Sequence, residues 1–338
     1  MRVLVIAALV IVGVACGRAS SPQLVERTFV AMGSSLRVAI WTTDETKASA
    51  AADRVYREFE RLESLLSVWK PGSDVVRLND AAGRQPVPVS NETLEVLTAA
   101  RIGSEQTHGK FDVTFGALAD VWKFDHDQDN RVPDRTAIEA RLPLVDFRAV
   151  ELNSAQRTAF INRRGMRVHL GGVGKGYAID VAVMLLRQQG FDDFLIQAGG
   201  DMYAAGANNG TSWTLGIADP RSSHEAFAAV EIRGAAISTS GDYERWFVKD
   251  GVRHHHLIDP DRGEPARGCR SVTIITSRAT MADVLSTGVF IMGPEEGMAL
   301  IEKLPDVEGV IVTASNEVLI SSGLKGRVEI KGPPTDEP

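Results

Sequence analysis

Three short stretches of this 338-residue chain carry side chains able to do chemistry. Asp283, Ser286 and Thr287 are spaced i, i+3 and i+4, so a helix would place one carboxylate and two hydroxyls on a shared face. That set of hard oxygens suits Mg²⁺ rather than zinc. The run Thr280-Met281-Ala282-Asp283 also fits a capping box, in which Asp283 only satisfies backbone donors. The second stretch is Gly171-Gly172-Val173-Gly174-Lys175-Gly176. Glycines let the backbone approach a diphosphate, a following helix offers free N–H groups, and Lys175 adds a point charge. No Ser or Thr follows Lys175, so this is not a Walker A loop, and it is a poor dinucleotide fingerprint; a tight structural turn competes with the binding reading. The third is His254-His255-His256. Side chains on a strand alternate, so the three cannot share one side, which argues against a three-histidine metal site. One inward histidine could serve as a general base near neutral pH, whereas a solvated strand needs no function at all. No Gly-x-Ser-x-Gly elbow or zinc-type Cys/His pairing is present.

The elements that must position these residues follow from periodicity and turn signals. Arg27 to Ala31 and Leu36 to Trp41 read as strands joined at Met32-Gly33-Ser34-Ser35. Val55, Phe59, Leu62 and Leu66 mark a helix that Pro71-Gly72 ends. A second helix opens at Asn91 or Thr93 and closes near Gly109. Residues 123–136 are polar and Asp-rich and read as a surface connection. Arg167 to Leu170 is expected as a strand leading into the glycine segment, with a helix through Ile179, Val183 and Leu186 after it. Further strands are expected at Phe194 to Gln197, Thr214 to Ile217, Ala228 to Ile232, Tyr243 to Val248, Ser271 to Ile275, Gly309 to Val312 and Val318 to Ile320. Helices are expected from Thr280 to Met292 and from Pro294. Strands at hairpin spacing favour a mixed α+β fold, largely antiparallel with flanking helices, over a doubly wound one.

Composition narrows the function. The net charge of −7 and the lack of a long basic run argue against a nucleic-acid surface. Met1-Arg2 and the apolar run from Val3 to Ala15 form an export-signal pattern, too short to span a bilayer. Cys16 follows Gly13-Val14-Ala15 as the acylated cysteine follows a bacterial lipoprotein signal, although Gly13 stands where an aliphatic residue is usual. We therefore expect a signal at 1–15, a polar tether at 16–24, one domain over 25–325 and a disordered tail at 326–338. Cys269 is the only other cysteine, so a lipidated Cys16 leaves no intrachain disulfide; a plain buried thiol is the expectation for Cys269.

In this order the pieces resemble the ApbE family, the FAD:protein FMN transferases. The similarity runs from about Arg27 to about Ile320. It rests on Ala31-Met32-Gly33-Ser34, Ser67-Val68-Trp69 with Ser73 and Asn79, and Gly109-Lys110-Phe111-Asp112-Val113-Thr114. It continues with Gly171 to Asp180, Gly199-Gly200-Asp201, Thr239 to Tyr243, His256 to Pro260, and Ala282-Asp283 to Thr287. The resemblance implies a two-lobed domain with its active site in the cleft, and Mg²⁺-dependent transfer of FMN from FAD to a Ser or Thr hydroxyl of another protein, releasing AMP. It implies that Met32 and Trp69 line the adenine end and that Lys110, Phe111, Asp112 and Lys175 contact the cofactor. Asp283, Ser286, Thr287 and the Gly172 carbonyl would hold Mg²⁺. Ser240 and the backbone at Leu257 would border the flavin, Asp180 would organise the site, and His256 would be the base. His169 stands where the family usually has an acidic residue, which makes it a rival base and a cofactor contact of altered character. The resemblance also implies acceptors among membrane or periplasm-facing redox subunits of sodium-translocating quinone reductases and Rnf-type complexes, bearing a Ser/Thr-Gly-Ala-Ser/Thr-like segment. An enzyme anchored on the periplasmic side of the inner membrane would meet them. An FAD pyrophosphatase, with water as acceptor, would use the same metal site and glycine segment. A lipoprotein that only binds FAD would need no metal.

Overall fold

Eight strands form one antiparallel sheet whose spatial order repeats their order along the chain. They are β1 (Gln23–Ala31), β2 (Ser34–Thr42), β3 (Phe194–Ala198), β4 (Asp201–Ala205), β5 (Ala235–Gly241), β6 (Cys269–Thr276), β7 (Glu308–Thr313) and β8 (Val318–Ile320). The structure, a computed structural model, describes residues 21–222 and 225–336. Every neighbouring pair is antiparallel, so each connection is a hairpin or an insertion and no strand needs a parallel crossover. The helices are α1 (Glu45–Leu66), α2 (Asp74–Asp80), α3 (Asn91–Gln106), α4 (Arg135–Glu139), α5 (Gly174–Gln188), α6 (Ala279–Met292) and α7 (Pro294–Lys303). The mixed, largely antiparallel α+β class expected from strand spacing is the class observed.

One face of the sheet is covered by α1, α5 and α6. The α1 stripe Val55, Phe59, Leu62 and Leu66 is buried there as its spacing predicts. Phe59 is fully enclosed, and cutting it to alanine would cost about 3–5 kcal/mol. The opposite face is covered by a smaller sheet of Trp213–Ala218, Ala226–Ile232 and Val328–Ile330. Leu215, Ile217 and Val230 meet Leu195, Ile237 and Val310 between the layers. With both faces covered, β6 is buried at every position, Arg270 included. A third cluster of Leu118, Trp122, Phe124, Ile138, Phe247 and Ile258 forms a separate small core beyond the end of the sheet.

Several expectations are corrected. Arg167 to Leu170 is not a strand; one bridge joins Phe115 and Arg167. The Asn79 amide stands in for a strand partner, donating to the Val168 carbonyl (3.0 Å) and accepting from the Val168 N–H (2.7 Å). The strand expected at Tyr243 to Val248 is Trp246–Lys249, and β5 just before it escaped notice because Ala235 to Gly241 is small and polar rather than β-branched. Helix α2 was also unforeseen; Ser73 Oγ caps it by accepting from the Val76 N–H. Gln23 and Leu24, expected in the tether, are already in β1. Residues 326–336 of the expected tail are placed against the domain by hydrogen bonds and by Val328, which packs on the core between the two sheets. Val328–Ile330 pairs with Ala226–Ile232, and the Thr335 N–H and hydroxyl both donate to Asp219 Oδ2. Cys269 is a buried thiol whose pKa burial pushes up to about 12. The signal and Cys16 lie outside the described residues. Among those described, no helix is long and apolar enough to cross a membrane.

Candidate active site

Helices α5 and α6 cap one another. The Gly176 N–H, in the first turn of α5, donates to Asp283 Oδ2 of α6 at 3.0 Å. In return, Asp180 of α5 accepts from the Ala279 and Thr280 N–H groups at the start of α6, at 2.8 and 3.1 Å, and from the Thr280 hydroxyl. Each carboxylate thus satisfies orphan donors and meets the positive end of the other helix's dipole. Only glycine allows the approach: a Cβ on Gly176 would lie 2.3 Å from the Ala279 carbonyl oxygen. The capping-box reading of Asp283 is therefore overturned, because Asp283 caps the neighbouring helix and not its own.

This junction is the floor of a cavity of about 300 Å³. Asp283 is almost wholly enclosed, and burial together with Asp201 pushes its pKa up to about 7. Lys175 Nζ stands 2.9 Å from Asp201 Oδ2. Burial alone would lower the lysine pKa, but the Asp201 and Asp283 carboxylates outweigh it and hold the ammonium charged. Two acidic side chains share one ammonium there, and burial disfavours the ionised form of Asp283. A divalent cation fits that set and would keep Asp283 ionised.

The oxygen donors around it are only partly those expected. Thr287 and Gly172 both line the cavity, and a Cβ on Gly172 would sit 3.4 Å from Thr287 Oγ1. Ser286 lies outside the lining: its hydroxyl is fully enclosed beneath it, donating to the Asp283 carbonyl and contacting Ser238 and Ser240 Oγ at 3.1 and 2.8 Å. It supports Ser240, which faces the cavity and also contacts Thr287 Oγ1 at 3.2 Å.

The walls include three further segments. Met32 and Gly33 form the two-residue hairpin turn between β1 and β2, both with positive φ (49° and 70°). Glycine accepts this freely, whereas Met32 carries about 1–2 kcal/mol of strain to present its side chain to the cavity. Lys110 Nζ contacts Asp259 Oδ1 and Asp261 Oδ2, each at 2.8 Å, and Phe111 is buried beside it. Asp112 lines the cavity, but both its oxygens are engaged within the chain, by Thr114 and by the Phe147 N–H. Leu257 lines the far wall. Trp69 lies outside the lining, 48% exposed and edge-on to His126 at 4.9 Å.

The three histidines go three ways. His254 stacks between Trp122 and Phe247. His255 is buried, accepting from the Leu257 N–H at Nδ1 and contacting the Ala266 carbonyl oxygen at 2.8 Å through Nε2. Burial lowers its pKa to about 4. His256 lines the cavity, and burial, Arg245 and His255 hold its pKa well below the usual histidine range. It is therefore a neutral imidazole at pH 7, and its Nδ1 makes no hydrogen bond among the described residues. His169 lines the cavity opposite, accepting from the Gly171 N–H, with its pKa lowered by burial.

Three site residues were given no role from the sequence. Asp201 had a signal, since it follows Gly199-Gly200 at the start of β4. Arg245, which lines the cavity, and Asp125, which binds Arg245 and lies 4.0 Å from His169 Nε2, had none. Asp125 belongs to the Asp-rich stretch read as mere connection.

Comparison with known proteins agrees with this layout. The ApbE family model matches residues 32–311. A FAD:protein FMN transferase of Klebsiella pneumoniae (strain 342) is 34% identical over 295 residues, 87% of this chain and 90% of that protein. The solved ApbE protein of Thermotoga maritima has a TM-score of 0.83 and 33% identity, covering 90% of this chain and 99% of its own. The flavin transferase ApbE from Vibrio cholerae has a TM-score of 0.82 and 27% identity, with the same coverage. The chain belongs to the ApbE family.

Proposed function

We propose that the chain is a FAD:protein FMN transferase that needs Mg²⁺ and joins FMN through a phosphoester to a Ser or Thr hydroxyl of an acceptor protein. The observation that carries this reading is the meeting, in one cavity, of His256 with Asp283, Asp201 and Lys175 beside the start of α5. Family membership supports it, through relatives named for that activity.

Lys175 and the first N–H groups of α5 would face the FAD diphosphate. Met32, Phe111, Lys110, His169, Ser240 and Leu257 would hold the rest of FAD, with Trp69 at the mouth. Lys110 must then share its ammonium with Asp259 and Asp261. Magnesium, held by Asp283, Thr287 and the Gly172 carbonyl, would supply positive charge to the diphosphate. His256 takes the proton of the acceptor hydroxyl as its oxygen bonds to the FMN-side phosphorus. The bond from that phosphorus to the bridging oxygen breaks, and AMP leaves with that oxygen. Positioning and electrostatics do most of this work.

We further assign the enzyme to the periplasmic face of the inner membrane, anchored through Cys16, where redox subunits of quinone reductases and Rnf-type complexes would be acceptors. The support is the apolar run that ends at Cys16.

The test mixes the chain from Gly17 onward with FAD, Mg²⁺ and a carrier protein bearing an Asp-Gly-Ala-Thr segment. A fluorescent acceptor band on a denaturing gel, lost on chelation, is expected. Free FMN and AMP without a band would make the chain a pyrophosphatase, and FAD retained uncleaved would make it a carrier.

A further inference from the structure

We propose that the acceptor protein reaches the active site as an extended segment laid along the free edge of Trp213–Ala218, an inference that rests on the transferase reading above. A second cavity of about 600 Å³ lies there, and it shares Gly199, Gly200, Thr239 and Glu244 with the catalytic cavity. The two thus adjoin at the glycine pair, around the turn that ends β3. A group transfer to a protein needs two entrances: FAD fills the first cavity, and the hydroxyl must arrive beside His256 from elsewhere.

The second cavity has the features of a strand-binding groove. Its floor is the sheet face at Gln197 and Met202, and its side is Gly216 and Ala218. Trp213–Ala218 ends its sheet among the described residues, so one row of its backbone N–H and C=O groups has no strand partner. Exposed edges are usually blunted by charge or proline; this strand has neither, and presents Gly216 and Ala218 on its exposed face. Such an edge accepts an added strand through main-chain hydrogen bonds.

The groove wall is also tied back to the rest of the chain. Arg221 binds Asp242 through two contacts of 2.7 and 2.9 Å, and the tail residue Thr335 holds Asp219 at the base of the same loop. The opposing wall is Arg253, stacked on Trp246 at 3.9 Å. A wall ordered before binding costs the complex less entropy. Thr335 thus has a task, to hold Asp219 at the end of the edge strand.

The test is Ala218→Trp, which fills the groove at an exposed position outside the FAD cavity. With the Asp-Gly-Ala-Thr carrier as acceptor, we expect the acceptor KM to rise about tenfold or more while FAD affinity, read by flavin fluorescence, stays within about twofold. An unchanged acceptor KM overturns the groove and leaves the transferase reading standing. If the wild-type protein flavinylates nothing, that reading fails first and the groove falls with it. As a measurement independent of this variant's folding, a photo-crosslinker at Ser222 should capture the carrier. Capture of the carrier supports the groove, and its absence beside active transfer overturns it.

Discussion

The floor of the catalytic cavity and its rim hold their charges in different ways. At the floor, Asp283 and Asp180 are fixed by backbone donors of the opposing helix, and Lys175, partly exposed, faces the buried Asp201. At the rim, Arg245 meets Asp125 with 43% and 24% of their side-chain surfaces exposed, and Lys110 shares Asp261, which is 77% exposed. Buried charges interact strongly and shift pKa values, whereas exposed pairs are screened and contribute about 0–1 kcal/mol. The site thus places its chemistry on rigid helix ends and leaves its opening to adjustable side chains.

Predictions follow that division from strong to weak. Asp283→Ala should lower Mg²⁺-dependent transfer by about 10³-fold or more while the far-UV circular dichroism stays native. Full activity of that variant under chelation would remove the floor's special status. His256→Ala should lose about 10²–10⁴-fold in transfer rate with FAD affinity kept. Normal transfer would shift the base to His169.

Acid should expose the core side of the same turn. The folded-state pKa of His255 is depressed to about 4, so its stabilising effect is full above the unfolded value near 6.5. That stability is lost as pH falls from about 6.5 towards 4. The melting temperature should drop across this window, and His255→Gln should flatten the slope; an unchanged slope would refute the assignment. Asp180→Ala removes the α6 cap and should cost about 1 kcal/mol in chemical denaturation, with a several-fold loss of rate through displaced Asp283. At the rim, Asp125→Ala should change the KM for FAD by less than about fivefold. An effect as large as that of Asp283→Ala would erase the contrast between floor and rim.

The same contrast marks what could be read from the sequence. The site was legible where its signals are local: the glycine run before α5 and the i, i+3, i+4 spacing in α6 at the floor, and the hairpin at Met32-Gly33 in the wall. Its wiring was not, because the partner of Asp283 is Gly176, 107 positions away, and a local capping box offered a nearer explanation. The strand misread at Arg167 to Leu170 has the same cause, since its partner is the side chain of Asn79, 89 positions away. Ser286 has ligand spacing, yet β5 hydroxyls claim it from a strand whose small residues gave no strand signal. The rim was invisible, since Asp125 and Arg245 sit in loops that only the fold brings together.

The central claim is that bond cleavage in FAD and bond formation on the acceptor are one event. It is tested most directly by measuring, in a single incubation, the AMP released and the flavin covalently attached to an intact acceptor by mass spectrometry. We predict one AMP for each flavin attached, both abolished by chelating Mg²⁺. AMP released in excess, with acceptor unmodified, would contradict the account and make water the acceptor.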